Sequence, residues 1–257
     1  MVENSAALKK AAHLAKAQAG QAEASNLSEI LAIDFPILLE AVLPDVVRAY
    51  PQKVAGLQEL GISARMAETG RLLLACLGPG HLGDLQTHGS DTVRGWACFM
   101  IAAQDLPLAH QLSAIRPLAD DPHFGVREWA WLAVRPAISD NLEDALALLI
   151  RWTREPSAFL RRFASEATRP RGVWCRHITA LKTDPAVGLP LLEALKADHS
   201  PYVQDSVGNW LNDAAKSRPD WVRSVVAQWL DSSPSPHTAR IARRALRSLD
   251  KPKKGSS

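Results

Sequence analysis

Apolar residues return at helical spacing through much of this chain, and three stretches do so in one register. In Val126–Pro136 the residues Val126, Trp129, Ala130, Ala133 and Val134 fall at i, i+3, i+4, i+7 and i+8, one stripe of a helix. Leu160–Pro170 puts Leu160, Phe163, Ala164, Ala167 and Thr168 on the same stripe, and Val203–Asp213 puts Val203, Ser206, Val207, Trp210 and Leu211 there. The segments are offset by 34 and 43 residues, and Arg135-Pro136 falls on Arg169-Pro170. Loosely repeated helical segments at this period predict an all-α superhelix, a solenoid whose concave side is a binding face. On this pattern Trp129, Phe163 and Trp210 are core residues rather than platforms for stacked bases.

The rest of the chain is punctuated to match. The first 80 or so residues read as short helices broken near Pro36, Pro44, Pro51 and Gly61. Gly78–Gly89, rich in turn formers, is expected to be a loop. From Asp91 onward helices come in pairs, separated at Asp120–His123, Arg154–Ser157, Asp198–Pro201 and Ser232–Pro236, each with a capping oxygen or a first-turn proline. The last helix is expected to end near Leu249. Three regions follow: residues 1–82 as a helical cap on the array, 83–250 as the repeat domain and 251–257 as a basic tail.

Composition narrows the function classes. With 257 residues and 47% hydrophobic content the chain can bury a real core. Its longest apolar run, Trp96–Ala103, is far short of the ~20 residues that span a bilayer. The N-terminal lysines Lys9, Lys10 and Lys16 sit among alanines without the apolar stretch of a signal peptide, so a soluble, cytoplasmic monomer is expected. Cys76, Cys98 and Cys175 and the eight histidines make no ligand spacing, and neither a phosphate-binding glycine loop nor a nucleophile elbow is present. No metal and no cofactor are expected. Net charge is +3, but of 30 Lys and Arg residues nine precede residue 121. This imbalance suggests an anionic partner, nucleic acid first, with a solvated basic face as the alternative.

Off the apolar stripes, polar residues share positions: Glu128 with Arg162 and Asp205, Leu132 with Glu166 and Asn209, Arg135 with Arg169 and Asn212. Trp131 also lies off its stripe. The stretch SEATRPRGVW, Ser165–Trp174, followed by SPYVQDSVGNWLNDAAKSRPDWV, Ser200–Val222, resembles the bacterial DNA alkylation repair glycosylases of the AlkC/AlkD type. The resemblance covers roughly residues 91–230 and is nearer to AlkC between Leu160 and Val222. It implies HEAT-like helical repeats, no metal or cofactor, and action on double-stranded DNA at the nucleoid. The implied activity is base excision repair, hydrolysing the N-glycosidic bond of cationic N-alkylated bases such as N3-methyladenine.

Carried over by motif position, Glu166 and Asp213 match acids of the catalytic site and Trp174 an aromatic of the lesion pocket. Arg169, Arg171 and Lys216 stand where phosphate contacts are implied, and Arg135, Arg161, Arg162 and Arg176 extend that basic cluster. A further family glutamate is replaced here by Trp131, which makes Glu128 a candidate third acid and Trp131 a second pocket aromatic. Arg240, Arg243, Arg244 and Arg247 recur at helical spacing, either as a DNA-backbone stripe or as a solvated terminal cap.

Plain structural readings stand beside these. Glu166 lies four after Arg162 and three before Arg169, as a surface salt-bridge network would. Asp213 can end its helix or pair with Lys216, and Trp174 can begin a helix and pack over a repeat junction. At the level of function the alternatives are a non-catalytic repeat protein that binds branched or deformed DNA, and a protein-interaction scaffold.

Overall fold

The computed structural model describes residues 2–250, with side chains from residue 7 onward; the expected basic tail lies outside them. The described residues hold seventeen α-helices, three short 3-10 turns and no strand. No helix among them is long and apolar enough to cross a membrane. Packing groups the chain into two compact units, residues 1–134 and 135 onward.

The first unit contains α1 (Val2–Gln18), α2 (Leu27–Ala32), α3 (Phe35–Val42), α4 (Pro44–Ala49), α5 (Pro51–Ala55), α6 (Ile62–Leu77), α7 (Leu82–Gln86), α8 (Asp91–Ala102) and α9 (Leu108–Ala119). The prolines act as starts: Pro36, Pro44 and Pro51 each occupy the first or second helical position, where a missing N–H costs nothing. Asn26 and Asp34 cap the helices after them, accepting from Glu29 N and Ile37 N at 3.0 Å. The expected loop after Gly78 instead carries a 3-10 turn and α7. Nor does packing divide near residue 82. Gly70 of α6 lies so close to α8 that a Cβ there would come within 2.5 Å of the Phe99 backbone, so the two helices share one core. A buried ion cluster ties the unit: the Arg94 guanidinium donates to Asp121 at 2.8 Å and to the His88 carbonyl at 2.8 Å, and also meets Glu23.

The division falls inside α10 (Phe124–Asp140). The second unit continues with α11 (Leu142–Trp152), α12 (Ala158–Ala167), α13 (Thr179–Thr183), α14 (Leu189–Glu193), α15 (Pro201–Ala215), α16 (Pro219–Ser232) and α17 (Pro236–Leu246). The four expected turns all separate helices. The last helix stops three residues before Leu249, where a Leu249 N to Leu246 O bond of 2.8 Å tightens the chain into a turn.

Every position of the three apolar stripes is buried. The ring of Phe163 packs on Trp152 with centroids 4.9 Å apart, and Trp210 donates its indole N–H to Thr168 Oγ1 at 3.3 Å. Trp129 packs edge-on to Phe99, 6.2 Å between centroids. α15 lies against both α12 and α17. Its Gly208 lets α17 approach until a Cβ would meet Arg244 Cβ at 2.7 Å. The packing of α12 on α15 brings Glu166 and Asp213 to the same place.

Candidate functional site

Glu166 and Asp213 come from segments 47 residues apart and share one guanidinium. α12 ends at Ala167 because Pro170 offers no N–H and disfavours a helical Arg169. Glu166 therefore sits on the last turn, and Arg169, just beyond it, turns back. Its Nη1 donates to Glu166 Oε1 at 2.7 Å, while Nη2 and Nε donate to Asp213 Oδ2 at 2.7 and 2.9 Å. Glu166 Oε2 accepts from Ser206 Oγ at 2.6 Å and lies 3.5 Å from Arg162 Nη2. Asp213 Oδ1 lies 3.2 Å from the exposed Lys216 ammonium.

Both carboxylates are almost fully buried. Burial pushes the Glu166 carboxyl up, but the Arg162 and Arg169 guanidiniums and the Ser206 hydroxyl outweigh it and hold the group below its ordinary range. Arg169 is opposed by the same burial and is held charged by Glu166 and Asp213. The result is a pair of fixed anions bridged by one fixed cation inside the protein.

The segment after α12 is a loop, so Trp174 does not begin a helix. Trp174 has φ 60°, the left-handed region, which costs a bulky residue about 1–2 kcal/mol. Its side chain is nevertheless 44% exposed, and its neighbour Val173 is 60% exposed. An aromatic held outward at a strained backbone position marks a place worth testing for function.

Arg135 builds this loop from beneath. It is buried and donates to the Ala167, Arg169 and Arg176 carbonyls at 2.8, 2.5 and 3.3 Å. Those bonds satisfy acceptors at a helix C-terminus, where a cation is also favoured by the dipole. Arg171 adds a second tie, donating to the Asp213 carbonyl at 3.3 Å and to Ser217 Oγ at 2.7 Å. Gly172 tolerates no side chain here, since a Cβ would lie 2.0 Å from Cys175 Sγ.

The basic residues read from the sequence differ in burial and in partners. Arg135 and Arg161 are inside; Arg161 clasps Asp198 at 2.6 and 3.1 Å and donates to the Glu155 and Pro156 carbonyls. These two are corrections to the expected phosphate contacts, because burial and protein acceptors take their guanidiniums away from solvent. Arg162 lies over the Tyr202 ring at 4.5 Å, beside Glu166. Arg176, Lys216, Arg243 and Arg247 face solvent. Arg240 and Arg244 are turned onto α15, pairing with Asp205 at 2.8 and 3.2 Å. The stripe on the last helix thus splits between packing and solvent.

In the first unit, Trp131 is buried with 4% exposure, and its indole N–H donates to Glu128 Oε2 at 2.9 Å. Sequence reasoning missed Ser206, and through it Ser165. The signal was present: Ser206 occupies the stripe position that is Trp129 and Phe163 in the other two segments.

Comparison with known proteins places the chain in a family. Residues 96–248 match the family described as DNA alkylation repair enzyme. The uncharacterized protein YhaZ of Bacillus subtilis is 40% identical over 142 residues, 55% of this chain and 38% of that one. The Pseudomonas fluorescens alkylpurine DNA glycosylase AlkC, solved bound to DNA containing an abasic site analog, superposes with a TM-score of 0.65. It is 28% identical, over 86% of this chain and 64% of its own. AlkD2 from Streptococcus mutans, 20% identical with a TM-score of 0.61 over 81% of this chain and 99% of its own, shares the fold. The chain spans less than two thirds of YhaZ and of AlkC. The fold is of the all-α, HEAT-like repeat kind, and the protein belongs to the DNA alkylation repair enzyme family.

Proposed function

We propose that this protein is a DNA glycosylase that releases cationic N-alkylated bases, such as N3-methyladenine, from duplex DNA. The observation that carries the reading is the Glu166–Arg169–Asp213 cluster, two buried carboxylates held in place by one guanidinium. Alkylation makes the base cationic, so it leaves as a neutral base with the pair of electrons from the glycosidic bond. What needs help is the sugar, which develops oxocarbenium character. Fixed carboxylates stabilise that charge without reorganising, usually a large contribution to catalysis. Water then adds its oxygen to the anomeric carbon, and its proton passes to a carboxylate or to solvent.

The three central residues carry a net negative charge, flanked by the cations Arg162 and Lys216. Phosphates that draw Lys216 outward uncover Asp213 Oδ1 for the substrate. Arg171, Arg176, Arg243 and Arg247 are the further candidates for backbone contacts. Trp174 offers its ring face to the cationic base, an attraction of ~0.5–2 kcal/mol.

The test is release of methylated bases from methylated duplex DNA by the wild type, Glu166→Gln and Asp213→Asn. Losses of about 10²–10³ in each variant support the reading. A second reading, structure-selective DNA binding without catalysis, is favoured by one observation: the third candidate acid, Glu128, accepts the Trp131 indole N–H. Duplex binding with no base release by the wild type establishes that reading.

A further inference from the structure

Ser206 stands where the other two apolar stripes carry Trp129 and Phe163. A small residue here opens space between α12 and α15, and Glu166 Oε2 enters it. Both serines of the contact are fully enclosed, with 2% exposure at Ser206 and 0% at Ser165. Ser206 Oγ is 2.6 Å from Glu166 Oε2, and Ser165 Oγ is 2.8 Å from Ser206 Oγ. The direction of this chain is fixed by proton count. An ionised carboxylate accepts, so the one Ser206 proton goes to Glu166; Ser206 must then accept, so the Ser165 proton points to Ser206. Ser165 has the Arg162 carbonyl at 3.0 Å as its alternative acceptor.

We infer that Ser206, backed by Ser165, is a positioning residue that aims the Glu166 carboxylate. Arg169 fixes one oxygen and Ser206 the other, so Glu166 is clamped from two elements and cannot rotate about its terminal torsion. For its kinetic consequence the inference rests on the glycosylase reading; for its structural consequence it does not. Loss of the Ser206 hydroxyl leaves Ser165 with a partner, because its proton turns to the Arg162 carbonyl. It leaves Glu166 buried with one fewer donor, and burial then pushes the carboxyl upward.

The experiment follows the Glu166 carboxyl carbon by NMR through a pH titration in the wild type, Ser206→Ala, Ser206→Thr and Ser165→Ala, with methylated-base release measured alongside. The expected midpoint in Ser206→Ala is higher by about one unit. Ser165→Ala moves it less, and Ser206→Thr restores it. Base release loses about tenfold in kcat with KM unchanged, and its acid limb moves to higher pH. An unmoved Glu166 midpoint in Ser206→Ala overturns the inference, as does an unchanged kcat at every pH in an active enzyme. A moved midpoint in a protein that releases no base sustains the positioning role and removes the glycosylase reading instead. Should Ser206→Ala fail to fold, Ser206→Cys, of similar volume and a weaker donor, carries the same test with a smaller shift in the same direction.

Discussion

Arg135-Pro136 and Arg169-Pro170 are the same dipeptide at the same phase of two apolar stripes, yet they do opposite things. In α10 the helix runs on through Pro136 to Asp140, and Arg135 is buried against main-chain carbonyls. In α12 the helix stops at Ala167, Pro170 opens a loop, and Arg169 turns onto two carboxylates. One arginine builds the loop and the other organises the charge beside it. The difference lies in the partners: Glu166 has Leu132 as its counterpart in α10, so that helix gives Arg135 no acid one turn back. A repeated motif thus becomes a charge cluster where an off-stripe acid and a second acid on α15 converge on the same guanidinium.

The largest expected effect is at Arg169. Arg169→Met removes the cation that two buried carboxylates share, leaving only Arg162 beside Glu166 and Lys216 beside Asp213, a destabilisation of about 3–5 kcal/mol at neutral pH by urea melting. Base release is expected to fall by about 10²-fold or more. The pH dependence follows from Glu166, whose folded carboxyl is held low, burial being opposed by Arg162, Arg169 and Ser206. A group depressed on folding contributes stability above its unfolded value of about 4.3 and loses it as pH falls through the folded one. Burial raises the same carboxyl in Arg169→Met, so the gap between wild type and variant narrows as pH falls through the acid range. A gap that stays constant through that range contradicts the account.

Arg135→Met comes next. Three carbonyls lose a donor, so about 3 kcal/mol of stability is expected to go, at roughly 1 kcal/mol each. The variant that folds is expected to keep salt-dependent DNA binding with an unchanged slope. A slope reduced by about 0.9 would instead make Arg135 a phosphate contact.

Trp174→Gly separates strain from function. Glycine accepts the left-handed backbone that tryptophan resists, so stability is expected to hold or rise by up to about 1 kcal/mol in thermal melts. Base release is expected to fall about tenfold through loss of the ring. Lost stability with full activity would make the residue a packing element.

The smallest effect is at Pro136. Pro136→Ala restores a helical N–H in α10 and is expected to add about 1 kcal/mol of stability without touching base release. Pro170→Ala is expected to lower base release by loosening the turn that aims Arg169. Equal behaviour of the two prolines would erase the contrast between the helices.

Much of this was legible in the sequence. Helical spacing identified the buried stripes, including the three aromatic anchors, and the motif carried Glu166 and Asp213. Charge misled where it went inside: Arg135 and Arg161 look like phosphate contacts because arginines are usually exposed, and burial depends on carbonyls and on Asp198, far away in sequence. Trp131 looked surplus to packing off its stripe, but it is buried, with its indole N–H donating to Glu128. The loop after Pro170 was unreadable because Arg135, thirty-odd residues upstream, supplies the donors that hold it. Proline spacing alone could not tell Pro136 from Pro170, since tertiary contacts decide which helix continues.

The most direct measurement is single-turnover release of methylated bases from methylated duplex DNA by wild type, Glu166→Gln and Asp213→Asn, with DNA affinity measured in the same buffer. The account predicts release by the wild type, losses of about 10²–10³ in both variants, and little change in affinity. Release that survives both substitutions would contradict the assignment of the chemistry to the buried carboxylate pair.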